Sequence, residues 1–334
     1  MSASHDVLIM AAAHARLGEL LQPFSAHLLL MGPNGVVSRA DSGATVAAPQ
    51  PAGAWYGSDA WFNPLTSAFL ACAAQSPGLR WLHSGNAGID TPAYAPFRSG
   101  PIAITTSHGF APGIADFVLA SVLDHWQNGS DRRARRAARE WRSAPFREIA
   151  DSSWLIIGFG AIGQEVARRA RGFGARITAV RRNPGSDPLA DYMIGIDGLS
   201  QALPDADVVV LCIALNDATR GLVDATFLSA MKAGATFVNV ARGALVDEAA
   251  LLDGLAQGRP GHAILDVVMH EPLPPDSPFW THPAVALTPH LAWRGDRAEA
   301  RNDQAFLANL ARFVRDEPLA DVVQAEPDAA EPAL

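Results

Sequence analysis

Residues 154–180 read WLIIGFGAIGQEVARRARGFGARITAV. An apolar run of strand length, Trp154 to Ile157, leads into Gly158-x-Gly160-x-x-Gly163. A segment of helical pattern follows, and a second apolar run, ARITAV, closes the unit. The glycine triplet alone is a weak signal. Set between a strand and a helix, with a second strand on cue, it is the phosphate-binding turn of a dinucleotide fold. Gly158 permits the tight turn, Gly160 lets the backbone approach a pyrophosphate, and Gly163 lets the helix lie close to the strand. The amides at Ala161 and Ile162 open the helix, where unpaired N–H groups and the positive end of the helix dipole favour an anion.

The next four residues are Arg181, Arg182, Asn183 and Pro184. In a unit of this kind an acid about 20 residues past the first glycine bonds the ribose 2′-hydroxyl of NAD. Here that zone holds two arginines and no carboxylate. A carboxylate would repel a 2′-phosphate, whereas arginine binds it through charge-assisted hydrogen bonds. NADP(H) is therefore the expected cofactor, with NAD(H) possible; the bland alternative is that the arginines point into solvent at a strand end.

Beyond this unit, short apolar runs alternate with helix-length segments: DVVVLCI, ATFVNV, HAILDV and VALT. Continuous apolar strands alternating with helices indicate a parallel sheet covered on both faces. Towards the N-terminus, DVLIM (6–10), AHLLLM (26–31), LRWLH (from 79) and IAITT (102–106) read as strands. Residues 41–66, rich in proline, glycine and aromatics, read as loops around one short strand or helix. Residues 113–126 have helical apolar spacing, and Phe306, Leu310 and Phe313 mark another helix over about 296–315. Six arginines between 132 and 142 read as a solvated helix face rather than a nucleic-acid surface. The acidic, proline-rich end of the chain is expected to be disordered.

Polar residues stand where apolar runs end. Arg242, with Ala241 beside it, follows ATFVNV; Asp266 ends AILD, with Glu271 five residues on; His290 follows VALTP. Strand carboxyl ends are where open α/β sheets bind ligands. Singly, each has a bland reading: a surface cation, a loop carboxylate, a satisfied histidine. As an ordered set, the strings GFGAIG, VNVARGALVDE, LDVVMHEPLP and TPHLA closely resemble the D-isomer-specific 2-hydroxyacid dehydrogenases. The likeness is strongest from about 80 to 295 and weak before 75.

The resemblance implies an α/β protein of two Rossmann-like domains. One is a doubly wound parallel sheet for the cofactor, over 106–296. The other is a flavodoxin-like, discontinuous substrate domain, over 1–105 with 297–334. It implies that Arg242 binds the substrate carboxylate and polarises the carbonyl. His290 would be the general acid or base, and Glu271 would hydrogen-bond it and favour its imidazolium. Asp266 and Ala241 would serve the cofactor, Asp266 at the nicotinamide end. The loop SGNAGID would grip the substrate carboxylate through Asn86, Ala87, Gly88 and Ile89. A homodimer with contacts near 110–150 is implied as well. The family often has a small residue and a hydroxyl after its PH-x-A motif; here Trp293, Arg294 and Gly295 follow, and Trp293 is expected either to shape the cleft or to pack. Trp55, Tyr56, Trp61 and Phe62 match no substrate class and are expected to pack in the core or loops.

Composition sets the remaining bounds. The chain has 334 residues, 49% hydrophobic and 18% charged, as in a soluble globular protein. A net charge of −8 argues against a general nucleic-acid binder. Cys72 and Cys212 lie far apart and read as buried reduced thiols, and no metal site is expected. No signal peptide or membrane span is evident at the start, so the cytoplasm is the expected location. The function expected is an NADP(H)-preferring reductase of small 2-oxo acids of the glyoxylate or hydroxypyruvate type. The alternatives are an NAD-linked dehydrogenase of another D-2-hydroxy acid such as phosphoglycerate, and a nucleotide sensor without turnover. Residues 80–95 offer a phosphorylated substrate only Arg80 and His83, and a sensor has no need of a proton relay.

Overall fold

The computed structural model describes residues 5–61, 63–86, 88–98 and 100–323. The chain divides into two compact units, Met1–Phe110 with Asp296–Leu334, and Ala111–Gly295.

In the first unit the strands are β1 (Val7–Met10), β2 (Leu28–Met31), β3 (Val37–Arg39), β4 (Gly53–Tyr56), β5 (Trp81–Ser84) and β6 (Ala103–Thr106). They lie in the order β6-β5-β4-β1-β2-β3, and a short strand, Val322–Val323, pairs antiparallel with β6. Only β3 otherwise runs antiparallel. The segment 41–66 holds both a strand, β4, and the helix Ser58–Trp61, where one or the other was expected. Gly53 starts β4 because the Trp81 ring lies where a side chain would stand, 2.9 Å from an added Cβ. The helix Ala298–Phe313 returns to this unit and buries Phe306, Leu310 and Phe313. Phe306 stacks on Trp55 at 4.0 Å. Trp55 and Tyr56 are core residues, and Trp61 packs on Phe110. Phe62 lies outside the described residues.

In the second unit β7 (Ser153–Ile157), β8 (Arg176–Val180), β9 (Tyr192–Ile194), β10 (Val208–Leu211), β11 (Thr236–Asn239), β12 (His262–Leu265) and β13 (Val285–Leu287) form one sheet. The order is β13-β12-β11-β10-β7-β8-β9, and every pairing is parallel. β10, VVVL, is buried along its whole length; each such side chain contributes roughly 1.5–3 kcal/mol of burial. The arginine-rich segment is helical only over Gly129–Ala137. Arg139 leaves the helix at φ 59°, Arg133 pairs with Asp124 and Arg135 with Asp131. Cys72 and Cys212 are free thiols, each partly buried; desolvation pushes the Cys212 thiol up to about 12. No helix among the described residues is long and apolar enough to cross a membrane.

Candidate active site

Because β7 to β13 all run one way, the loops after them leave from one edge of the sheet. The chain moves from β7 to β8 and β9 on one side, then returns to β10 on the other. That reversal beside β7 is the switch point where an open α/β sheet leaves a crevice.

The glycine turn occupies this point. Gly158, at φ 97°, has no room for a side chain, since a methyl group would meet the backbone of Cys212 at the end of β10. A methyl on Gly163 would strike the Gly158 carbonyl. At Gly160 an added Cβ meets nothing within 4 Å, so the space beside this backbone is open. Gly160 caps the helix Ala161–Gly172, and among the described residues no side chain caps its first N–H groups. A turn closed on two sides and open on the third, with free amides at a helix start, suits a pyrophosphate. Arg181 and Arg182 directly follow β8 and are exposed. The Arg181 amide donates to the Ile194 carbonyl at 3.1 Å, fastening this corner to β9.

Arg242 is presented by a residue the sequence reading passed over. Asn239, 1% exposed at the end of β11, donates through Nδ2 to the Arg242 carbonyl at 2.9 Å and accepts from the Ala241 amide at 3.0 Å. The guanidinium Nη1 donates to the Ala241 carbonyl at 2.7 Å. Gly243 lies against the backbone of Val268 and Met269, where a methyl group would collide. The loops after β11 and β12 are thus in van der Waals contact, and alanine at 243 would part them. An asparagine closing an apolar strand and a glycine after an arginine were the available signals.

Asp266 is 2% exposed. Its Oδ1 accepts from the Thr288 hydroxyl at 2.7 Å and the Leu291 amide at 2.9 Å, and its Oδ2 accepts from the Ala292 amide at 3.0 Å. The carboxylate expected at the nicotinamide end is therefore bonded to the loop carrying His290. The Asp266 carbonyl also accepts from the His290 amide at 2.8 Å. His290 adopts φ 50°, a left-handed conformation that costs a non-glycine residue roughly 1–2 kcal/mol. These bonds hold it there. Trp293 closes the same turn, its Nε1 donating to the His290 carbonyl at 2.8 Å.

His290 Nδ1 lies 2.8 Å from Glu271 Oε2. Glu271 Oε1 accepts from the Val268 amide at 3.2 Å. Burial alone would raise the Glu271 carboxyl. The hydrogen bond and charge of His290, the Val268 amide and the charge of Arg242 outweigh it and hold the carboxyl below its usual range. An ionised carboxylate on Nδ1 fixes the ring and leaves Nε2 as the nitrogen that exchanges a proton.

The other expected site residues belong to the first unit, in the loop after β5. Asn86 is half-buried there, its amide donating to Ser84 Oγ at 3.0 Å. Gly88 is half-buried, and Ile89 packs against the core of that unit. Ala87 lies outside the described residues.

A family model, "D-isomer specific 2-hydroxyacid dehydrogenase, NAD binding domain", matches residues 119–292. "Glyoxylate/hydroxypyruvate reductase A" of Salmonella choleraesuis is 31% identical over 192 residues, 58% of this chain and 62% of that protein. The chain spans between about half and two thirds of the length of the curated relatives it matches. Among solved structures, a D-isomer specific 2-hydroxyacid dehydrogenase of Xanthobacter autotrophicus Py2, in complex with NADPH and MES, superposes with a TM-score of 0.75 at 26% identity, over 96% of this chain and 98% of that one. A family protein of Aeromonas salmonicida gives 0.78 at 26% identity, over 97% and 100%.

Proposed function

The chain belongs to the D-isomer specific 2-hydroxyacid dehydrogenase family, and on that footing we propose that it is an oxidoreductase that reduces small 2-oxo acids, of the glyoxylate or hydroxypyruvate kind, with NADP(H). The observation that carries this reading is the 2.8 Å bond between Glu271 and His290, within reach of the Arg242 charge. A dinucleotide-binding protein without turnover needs no such relay.

When bound, the reduced nicotinamide supplies a hydride to the carbonyl carbon of the 2-oxo acid. Negative charge then grows on the carbonyl oxygen. His290 Nε2 gives it the proton that makes the hydroxyl, and Arg242 binds the carboxylate and offsets the developing charge. Glu271 keeps Nδ1–H directed toward itself, so the neutral ring presents Nε2 as the base for the reverse reaction. Asp266 acts in this scheme by bracing the His290 loop.

In this reading Ala111–Gly295 is the cofactor domain, a doubly wound Rossmann-type sheet in the order 3-2-1-4-5-6 with a seventh strand added. The first unit is the substrate domain, and its parallel strands β2-β1-β4-β5-β6 follow the flavodoxin order. Asn86, Gly88 and Ile89 would hold the substrate carboxylate. Arg181 and Arg182 would clamp the 2′-phosphate, in keeping with the NADPH bound by the Xanthobacter relative; NADH would serve less well. Phosphoglycerate fits poorly. Arg80 pairs with Asp316 and lies over Phe313, and His83 is buried, with desolvation lowering it to about 3. A homodimer would use the stretch near 110–150, where Trp141 and Phe146 are exposed.

The test is loss of reduced-nicotinamide absorbance with glyoxylate and hydroxypyruvate, NADPH and NADH side by side. Turnover favouring NADPH is expected. Turnover favouring NADH would remove the arginine clamp, and none with either acid would remove this substrate class.

A further inference from the structure

Tyr94 stands eight residues past Asn86 and was given no role by the sequence. It is fully buried and packs edge-on against Tyr56, the last residue of β4, at 5.6 Å. Its hydroxyl lies 2.5 Å from Ser84 Oγ and 3.2 Å from Asn86 Nδ2. The Asn86 amide donates to Ser84 Oγ at 3.0 Å, and Ser84 Oγ in turn donates to the Asn86 carbonyl at 3.3 Å.

The Asn86 side-chain amide donates to the phenol oxygen, and a consistent assignment has the phenol donate to Ser84 Oγ and Ser84 donate to the Asn86 carbonyl. The buried bonds link the three residues into one ring, and a connected buried network of this kind is rigid. Burial pushes the phenol up to about 12, so its proton stays on through the physiological range.

We infer that Tyr94 is the positioning residue of the substrate loop: its hydroxyl holds Ser84 and Asn86 so that the backbone N–H groups of Gly88 and Ile89 are preset for a substrate carboxylate. The inference rests on the proposed reaction for what the loop binds, and on the hydrogen-bond ring alone for what holds the loop. Without the ring, the loop must order itself when substrate arrives, and that cost falls on substrate affinity. The cofactor does not share it.

Tyr94→Phe removes one oxygen and keeps the buried ring. Ser84→Ala breaks the same ring from the other side and guards against a folding defect peculiar to the first variant. Both should raise KM for glyoxylate or hydroxypyruvate by roughly tenfold, the worth of one hydrogen bond, with kcat and the KM for NADPH within about twofold of wild type. Amide exchange, read without substrate, should quicken at Gly85, Asn86, Gly88 and Ile89 and stay unchanged in β4. Wild-type KM and exchange in both variants would overturn the inference, as would an equal rise in the KM for NADPH. An inactive wild-type protein would defeat the proposed reaction instead, and the hold of Tyr94 on the loop would then be decided by exchange alone.

Discussion

Each unit fastens its sheet with buried polar side chains, and the two turn that device in different directions. In the first unit Thr105 Oγ1, on β6, accepts from Trp81 Nε1 and is hydrogen-bonded to His83 Nδ1, both at 2.8 Å. All three residues are fully buried, so the network ties neighbouring strands together inside the core. In the second unit Asp266 and Asn239 stand at the ends of strands and bond to the turns beyond. They hold Arg242 and His290, which are only partly buried. The same chemistry thus closes a core in one place and presents reactive groups in the other. A buried polar side chain is best interpreted by what its partners carry.

The largest effect should come at the presented groups. His290→Ala should lower kcat by about 10²–10⁴, the usual worth of a general acid, and leave NADPH affinity nearly unchanged in a fluorescence titration. Loss of cofactor binding instead would mean that His290 serves the cofactor and not the proton. Next come the two anchors. Asp266→Ala strands the Thr288 hydroxyl and two amides, so it should cost on the order of 3 kcal/mol in urea unfolding and lower kcat as the His290 turn loosens. Thr105→Val should cost about 2 kcal/mol by the same reasoning with kcat intact. Equal losses of kcat in both would erase the distinction drawn above.

Acid should act on both units with the same sign. His262 stacks face to face on His125 at 3.7 Å; burial, then the neighbouring His125 and His282, lower it to about 4. The unfolded chain binds this proton near pH 6.5 and the folded chain does not until about 4. Stability should therefore be full above pH 6.5 and decline by about 3 kcal/mol as the pH falls to 4. Unfolding midpoints of His262→Gln should show a flatter slope in that window; an unchanged slope would place the acid sensitivity elsewhere. A further effect is expected at the cofactor corner. Replacing Arg181 and Arg182 with alanine should raise the KM for NADPH by roughly 10–100-fold, as expected for lost charge-assisted hydrogen bonds, and barely alter NADH. Equal changes would break the phosphate clamp.

The contrast between the units also governs what was legible. The strands of the second unit are mainly apolar, and rare residue types follow them in fixed order, so Gly158, Arg242, Glu271 and His290 could be singled out, with their roles implied by the family resemblance. β9 was missed because it is a short edge strand with Tyr192 exposed, and the Val322–Val323 strand because it hides in an acidic, proline-rich tail. β4 was obscured by its own glycine, whose need comes from Trp81, distant in sequence. Asn239 and Tyr94 escaped for a related reason. Their value lies in partners that only the folded chain supplies, and neither residue type signals a role by itself.

The most direct test of the account is isotopic. Hydroxypyruvate reduced with NADPH deuterated at both C4 positions should give D-glycerate carrying one deuterium at C2, seen by mass spectrometry and proton NMR. His290→Ala should slow the appearance of that product without moving the label. Product without deuterium, or label lost to solvent, would contradict hydride transfer at this site.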